Sequence, residues 1–257
     1  LFLYLNSNKQ GITLDLNTPT GREILGELLA ESQVFVHNLH PTEMDRLGVS
    51  YGDLRAHNDR LVMASITPFG LTGPYRHYKA YDINLAAAGG ICEGLGSPDR
   101  EPLTFGTPEV GYFAAMAAAS SVVIALLAGQ GQHIDIAEVE SMAGIYNGPE
   151  ALMAVYQWRM TRRTGHHALD FPYPNCILRC KDGYIFVGSP EGRQWRTLLE
   201  VMGQPEWAKE DRFRNRTAMN NEYADEVDGY MEEWLLRYTK AELLALALEH
   251  RIPCLLY

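Results

Sequence analysis

Cysteine is scarce in this sequence. Cys92, Cys176, Cys180 and Cys254 are spread over 257 residues, too thinly for the disulfide framework of a small secreted domain, which points to a reducing, cytoplasmic setting. Basic charge is short as well. The 22 Lys and Arg stand against 32 Asp and Glu, a net charge of −10, and this excludes broad attraction to nucleic acid or to an anionic membrane surface. A secretory leader is not visible, because "LFLYLNSNKQ" has no basic region and only a very short apolar run. The chain lacks an initiator Met and opens at the edge of a strand-like run, so an initial segment is expected to be missing. One long stretch without charge, Tyr112 to Ala128, is 17 residues of mostly Ala and other small or apolar side chains. That is the bare minimum for crossing a bilayer, and a buried helix packed through small side chains is the better reading. Neither G-x-G-x-x-G after a strand nor G-x-x-x-x-G-K-[ST] occurs, so the dinucleotide fingerprint and the P-loop are both excluded.

The hydrophobic fraction of 46% and charged fraction of 21% are those of a soluble globular protein, and the length allows one large domain or two ordinary ones. "GITLDLN" alternates Ile12, Leu14 and Leu16 like a strand. Thr18-Pro19 then opens a helix with Pro at its first position and an apolar stripe of Ile24, Leu25, Leu28 and Leu29. "QVFVHNLHP" is a short strand, "TEMDRLG" and "YGDLRAHN" are short helices, and "LVMASITPFG" is the next strand. This alternation predicts a parallel α/β sheet. "YDINLAAAGGICEGLG" reads as one helix, and a longer one runs to the Gly129-Gln130-Gly131 stop. "QHIDIA" is a strand, followed by a helical stretch from about Val139 to Arg159 and the polar linker "RMTRRTGHHALDFPYP". Beyond it, "NCILRCKDGYIFVGS" reads as a β-hairpin turning at Lys181-Asp182-Gly183, and helices follow around "RQWRTLLEVMG", "ADEVDGYMEEWLLRY" and "KAELLALALEH". The change of character near 165–173 divides the chain into residues 1–165 and 173–257.

Gly48-Val49-Ser50-Tyr51-Gly52 matches the nucleophile-elbow pattern, but a helix rather than a strand precedes it. Ser50 is better read as the N-cap of "YGDLRAHN", with Asp53 favouring the helix dipole. Cys176 and Cys180 share one face of a predicted strand with His166 and His167 upstream. Zinc needs tighter ligand pairs, so buried thiols and surface histidines are expected, and no metal. More telling are the basic and amide groups around strand ends: Lys9 in "NSNKQG" before a strand, Asn38 at a strand's C-terminal end with Arg46 on the next helix in "NLHPTEMDRLG", and Arg76, Lys79, Tyr81 and Asp82 after another strand in "GPYRHYKAYD". Ligands of open α/β sheets bind beyond the carboxyl ends of the strands, and such loops suit a phosphorylated ligand with Tyr81 stacking on a flat ring; ordinary solvated loop charge is the alternative.

Those segments resemble the class III CoA-transferases, the CaiB/BaiF family. The likeness is carried by "NSNKQGITLDLNTPTGREIL", "HNLHPTEMDRLGVSYGDLRAHNDRLVMASITPFGLTGPY", "YKAYDINLAAAGG" and "GQGQHIDIAEVES", then by "CKDGYIFVG", "QWRTLLEVMGQPEWAKEDRF" and "IPC". The resemblance implies an α/β fold, with a Rossmann-like parallel-sheet CoA-binding domain (1–165 here, in part) and a smaller α+β domain (173–257, in part). It implies subunits interlocked as a homodimer, coenzyme A as ligand, and CoA transfer between an acyl-CoA and a carboxylic acid. Family CoA contacts fall on Asn8, Lys9, Asn38, Arg46, Leu47, Lys79, Ala80 and Tyr81. Family members carry further segments before "NSNKQG" and after "IPC", so truncation at both ends is expected.

The family nucleophile, an Asp, falls on Gly111 in "FGTPEVGYFAAMAAA", and glycine has no group to attack a thioester. Glu109 is the nearest carboxylate, at the expected start of a helix where the dipole favours an anion, and it becomes the candidate nucleophile, with Asp82 as a helper. A two-residue offset on a helix is a turn of about 200°, so Glu109 requires a local shift of the corner. The glycine-rich loop of some members is replaced by "GHHALDFPYPNC", where His166, His167 and Asp170 are candidates for any lid, and surface linker residues are the better reading. Related racemases use a His and an Asp whose places fall on Tyr81 and Gly111, which disfavours racemisation. The alternative to catalysis is a CoA-binding subunit that lost its nucleophile at Gly111 and pairs with another family copy.

Overall fold

The structure is a computed structural model that describes residues 1–145, 155–156, 158, 163–167, 171–189 and 191–256. It divides into two compact units, one of residues 1–92 and 104–158, the other of residues 93–103 and 159–257.

The first unit is built on a parallel sheet of β1 (Val34–His37), β2 (Val62–Thr67) and β3 (Gln132–Ala137), in that order. The middle strand, VMASIT, is almost wholly buried, as a strand flanked on both edges must be. Helix α1 (Phe2–Leu5) precedes α2 (Pro19–Glu31), whose N-cap Thr18 accepts the Gly21 amide with Pro19 at the first position. Helices α3 (Pro41–Leu47) and α4 (Tyr51–Arg55) join β1 to β2. Ser50 caps α4 in a reciprocal box with Asp53, so the Gly48–Gly52 pattern is a helix start and no nucleophile elbow. Leu25, Leu29, Met44, Leu47, Leu54, Leu61 and Met63 form the core of this unit.

Several elements differ from the sequence reading. Phe2–Leu5 is a short helix rather than a strand edge. "GITLDLN" forms no strand: Leu14 and Leu16 pack on the core, but a strand exists only with a ladder partner, and the segment pairs with none of the described strands. In α2 the buried side is Leu25, Leu29 and two glycines, while Ile24 and Leu28 are exposed. "YDINLAAAGGICEGLG" is two helices, α5 (Asp82–Ala88) and α6 (Ile91–Gly94), parted where Gly90 takes φ 89°. Helix α7 (Glu109–Ala128) is stopped by Gly129 at φ 69° as expected, yet it is not a buried helix. It packs on β2, β3, α5 and α8 (Glu138–Ile145) through Val110, Ala114, Ala118 and Ala125. The small side chains make one close-packed line, and the large ones, Met116, Val123, Ile124 and Leu127, lie exposed on the other side. By length and composition alone α7 would also pass for a membrane span; its packing on the sheet makes it a sheet-covering helix.

The first turn of α2 leaves no room at Gly21. A Cβ there would lie 1.9 Å from the Asp15 carbonyl oxygen, a backbone atom that cannot rotate away. Gly21→Ala is expected to destabilise the first unit by about 1–3 kcal/mol, the cost of forced overpacking. A urea midpoint unchanged from the parent would contradict this.

The second unit holds an antiparallel sheet of β4 (Asn175–Cys180), β5 (Gly183–Gly188) and β6 (Cys254–Leu256). The hairpin turns at Lys181-Asp182, and Asp182 also accepts the Lys240 amide at 2.8 Å. Helices α9 (Gly192–Val201), α10 (Arg216–Glu222), α11 (Ala224–Leu235) and α12 (Lys240–His250) surround a core of Tyr173, Leu178, Ile185, Trp195, Phe213, Met231 and Leu243.

Candidate functional site

In the first unit the carboxyl ends of β1 and β2 carry two of the segments singled out above, those of Asn38 and Lys79, while the Lys9 loop follows α1. β1 ends at His37, and Asn38 follows it exposed. The next turn is fixed by His40, an N-cap that the sequence reading missed. Its Nδ1 accepts the Thr42 amide at 3.3 Å. The ring proton therefore sits on Nε2 and donates to the His77 carbonyl at 3.2 Å. That bond ties the start of α3 to the loop after β2, and so brings Arg46 and Lys79 to one place.

Arg46 grips the Glu43 carboxylate through Nε and Nη2 at 3.0 and 2.7 Å, and Nη1 donates to Asn17 Oδ1 at 2.5 Å. Glu43 is held below the usual carboxylate range by Arg46 first, with smaller pulls from His40 and Lys79. Arg46 and Glu43 are both about half exposed, 52% and 47%, so water screens the pair and an incoming anion can displace Glu43. Beside Lys79, Phe69, Tyr75 and Tyr78 form an aromatic group with centroids 5.4–6.4 Å apart. Tyr81 is exposed at the start of α5, its amide donating to Asn84 Oδ1 at 3.0 Å. Ala80 is half-buried. Lys9 Nζ donates to Asn6 Oδ1 at 3.1 Å, next to Asn8 at φ 61°. The Leu47 side chain belongs to the core, 7% exposed, which leaves its backbone for any contact with a ligand.

A second group gathers at helix starts. Glu109 is the first residue of α7, half-buried, and its carboxylate accepts the Thr107 hydroxyl at 3.3 Å. Gly111 is exposed, and a Cβ added there meets nothing within 4 Å. Asp82 opens α5, which packs against both α7 and α8. Glu138, first residue of α8, was not foreseen. Burial, and then the charge of Asp82, hold its carboxyl above the usual range. The signal in the sequence was a carboxylate directly after a strand. Close by, a cavity of about 250 Å³ opens beyond β2 and β3, lined by Phe69, Gly70, Tyr75, Asp135 and Glu140 among others. Asp135 shapes it by accepting the Leu71 amide at 3.0 and 3.2 Å.

Beneath the strand ends lies a buried chain that the sequence did not disclose. Ser65 Oγ is 2.6 Å from His37 Nε2 and 2.8 Å from His133 Nε2. His37 Nδ1 accepts the Leu39 amide at 3.1 Å, so its Nε2–H donates to Ser65 and the serine hydroxyl donates to His133. Burial, and then His133, push His37 down to about 4, and burial lowers His133 against a smaller opposing pull from Asp135. Both rings are held neutral.

In the second unit, Cys176 and Cys180 are buried, as expected for two residues on one strand face. The histidines before them are not simple surface residues. Both ring Nε2 atoms lie 2.8 Å from Asp228 Oδ2, and the His167 side chain is 6% exposed. Asp170 lies outside the described residues.

Comparison with known proteins gives one consistent result. The family model described as CoA-transferase family III matches residues 1–256. The chain is 34% identical over 260 residues to succinyl-CoA–D-citramalate CoA-transferase of Chloroflexus aurantiacus, covering 97% of this chain and 62% of that protein. It is 30% identical to formyl-CoA:oxalate CoA-transferase of Streptomyces avermitilis, covering 98% of this chain and 66% of that one. A crystal structure of a CaiB/BaiF family protein from Brucella suis superposes with a TM-score of 0.78 at 30% identity, over 96% of this chain and 66% of that chain. The chain thus spans about 60–66% of the length of the relatives it matches.

Proposed function

The chain belongs to CoA-transferase family III, and from that premise we propose that it binds CoA thioesters and moves CoA between an acyl-CoA and a carboxylic acid through an enzyme-bound acyl intermediate. The convergence of Arg46 and Lys79 on Glu43, through the His40–His77 bond, carries this reading. In an acidic protein it is a local cationic place beyond the strand ends, suited to the phosphates of CoA. The family resemblance adds Asn8, Lys9, Asn38, Leu47 and Ala80 as further CoA contacts, with Tyr81 offering a face for the adenine or the pantetheine arm. A homodimer, or a pair with another family copy, in the cytoplasm is the setting that goes with this reading.

Glu109 is the nucleophile in this scheme. Its carboxylate oxygen attacks the thioester carbonyl, the C–S bond breaks, and CoA leaves as thiolate with the acyl group held as a mixed anhydride. The thiolate attacks the glutamyl carbonyl, which gives a glutamyl-CoA thioester and frees the donor acid. The acceptor carboxylate then forms its own anhydride with Glu109, releasing the thiolate again. Attack of that thiolate on the acceptor acyl carbon yields the new acyl-CoA and regenerates the carboxylate. The Thr107 hydroxyl and the positive end of α7 stabilise the ionised nucleophile between cycles. Asp82 and Glu138 would repel an acceptor carboxylate if both were ionised, and the raised affinity of Glu138 for a proton lessens that charge.

The empty place at Gly111 favours a second reading, a CoA-binding subunit without chemistry of its own. One set of measurements separates the two. Calorimetric titration with CoA is expected to give binding in the parent and in Glu109→Gln, weakened about ten- to a hundredfold in Arg46→Gln and in Lys79→Ala. Passage of a radiolabelled acid into the thioester pool is expected in the parent and not in Glu109→Gln. Binding without transfer in the parent supports the second reading, and no CoA binding at all defeats both.

A further inference from the structure

We propose that His166, His167 and Asp228 form a binding site for a divalent transition-metal ion, of which Zn²⁺ is the best match. The three lie in the second unit, where the segment before β4 meets α11. The two imidazole Nε2 atoms sit 2.8 Å from the same carboxylate oxygen, Asp228 Oδ2. All three candidate ligand atoms lie within 4.8 Å of one another. The other oxygen, Oδ1, accepts the Tyr173 hydroxyl at 2.9 Å. A ligating carboxylate is ordinarily oriented in this way by a further hydrogen bond.

The donors are prepared for a metal in position as well as in type. Backbone bonds hold the histidine pair: the Ile177 amide donates to the His166 carbonyl at 3.2 Å, and His167 bridges Cys176. Asp228 is 8% exposed. Two imidazoles and one carboxylate are the nitrogen and oxygen set that zinc takes with a fourth position left open. His166, with 46% of its side chain exposed, leaves that position to solvent.

In a tetrahedral zinc site the ligand atoms stand about 3.3 Å apart, so each nitrogen–oxygen contact must open by about 0.5 Å, within the reach of side-chain rotation. The ion replaces the Nε2 protons that now point at Oδ2, and each neutral ring then carries its proton on Nδ1. His167 Nδ1 is buried with no hydrogen-bond partner among the described residues. Lack of an acceptor for that proton weakens metal sites about ten- to a hundredfold.

The test uses the full chain, stripped with chelator and dialysed, then titrated with ZnCl₂ by calorimetry. One equivalent is expected, with a rise of several degrees in the thermal midpoint. Affinity is expected to fall at least tenfold in His166→Ala, whose side chain is half exposed and whose loss leaves the core intact, and to vanish in Asp228→Asn. Co²⁺ in place of zinc is expected to give visible d–d bands without thiolate charge transfer. No binding, unchanged affinity in His166→Ala, or a thiolate band that points to Cys92 or Cys254 overturns the proposal. None of these readouts depends on CoA transfer.

Discussion

Gly111→Asp is expected to give CoA transfer that no longer depends on Glu109. Gly111 is the third residue of α7, and a side chain there projects about 100° around the helix from Val110, which begins the buried line of Val110, Ala114 and Ala118. The added Cβ meets nothing within 4 Å, so the new carboxylate enters open space at the place that the family resemblance assigns to the nucleophile. The change also suits the helix. Aspartate is a slightly better helix residue than glycine, and in the first turn its charge meets the positive end of the dipole. A gain of function is therefore not masked by misfolding. Combined with Glu109→Gln, Gly111→Asp is expected to raise transfer at least about 10³-fold over Glu109→Gln alone, since loss of a covalent nucleophile costs up to on the order of 10⁶ in rate. Hydroxylamine trapping after incubation with acyl-CoA should mark residue 111 in that variant and Glu109 in the parent. A double variant with intact CoA binding and no more transfer than Glu109→Gln would show that the acyl group does not sit at this corner.

The parts of the fold written in local signals were legible. Thr18-Pro19, Ser50 with Asp53, and Gly129 each act within a few residues of themselves, and each stands where its chemistry put it. The parallel order of β1, β2 and β3 follows from strands alternating with helices. "GITLDLN" misled because alternation describes a face and says nothing of a partner edge. Helix α7 misled because its alanines mark how close the sheet comes along one line, not how much of the circumference is covered. The same division runs through the site. Arg46 and Lys79 stood out as cations that follow strand ends, one on the next helix and one in a loop. What joins them is His40 bonding to a carbonyl 37 residues away. The Ser65 chain reaches across 28 and 68 residues, and Asp228 meets its two histidines across 62 and 61. Contacts at such separations are set by strand register and helix docking, which the local pattern of residues does not specify.

Acid is expected to loosen the first unit well before its exposed carboxylates titrate. His37 is 9% exposed and held neutral, its ring packed 5.6 Å from Phe35 and hydrogen-bonded through Ser65 to His133. His133 stacks on Tyr51 at 5.4 Å. Apart from these rings, Asp135 is the charged group that acts on the chain, and it only partly offsets the burial of His133. In the folded unit His37 thus takes up its proton only at about 4, against 6.5 for the free side chain. The stabilisation is fully present above about pH 6.5, where neither state binds the proton. It is lost as pH falls toward 4, because the unfolded chain takes up protons that the folded one refuses. At 1.36 kcal/mol per unit, His37 alone accounts for a loss of about 3 kcal/mol across that window, and His133 adds in the same direction. Protonation also removes the acceptor at Nδ1 that the Leu39 amide uses, so the turn into α3, and with it the Arg46–Lys79 place, loosens with the sheet. Hydrogen exchange of the β2 amides, Val62 to Thr67, reads this opening locally and separately from the second unit. Protection is expected to fall steeply between pH 6.5 and 4.5 after correction for intrinsic rates. His37→Asn, which cannot take up the proton, should be less stable than the parent at pH 7.5 and lose little more on acidification. If protection in the parent stays level down to pH 4.5, the two imidazoles are not buried neutral links and the chain through Ser65 does not hold the strands together.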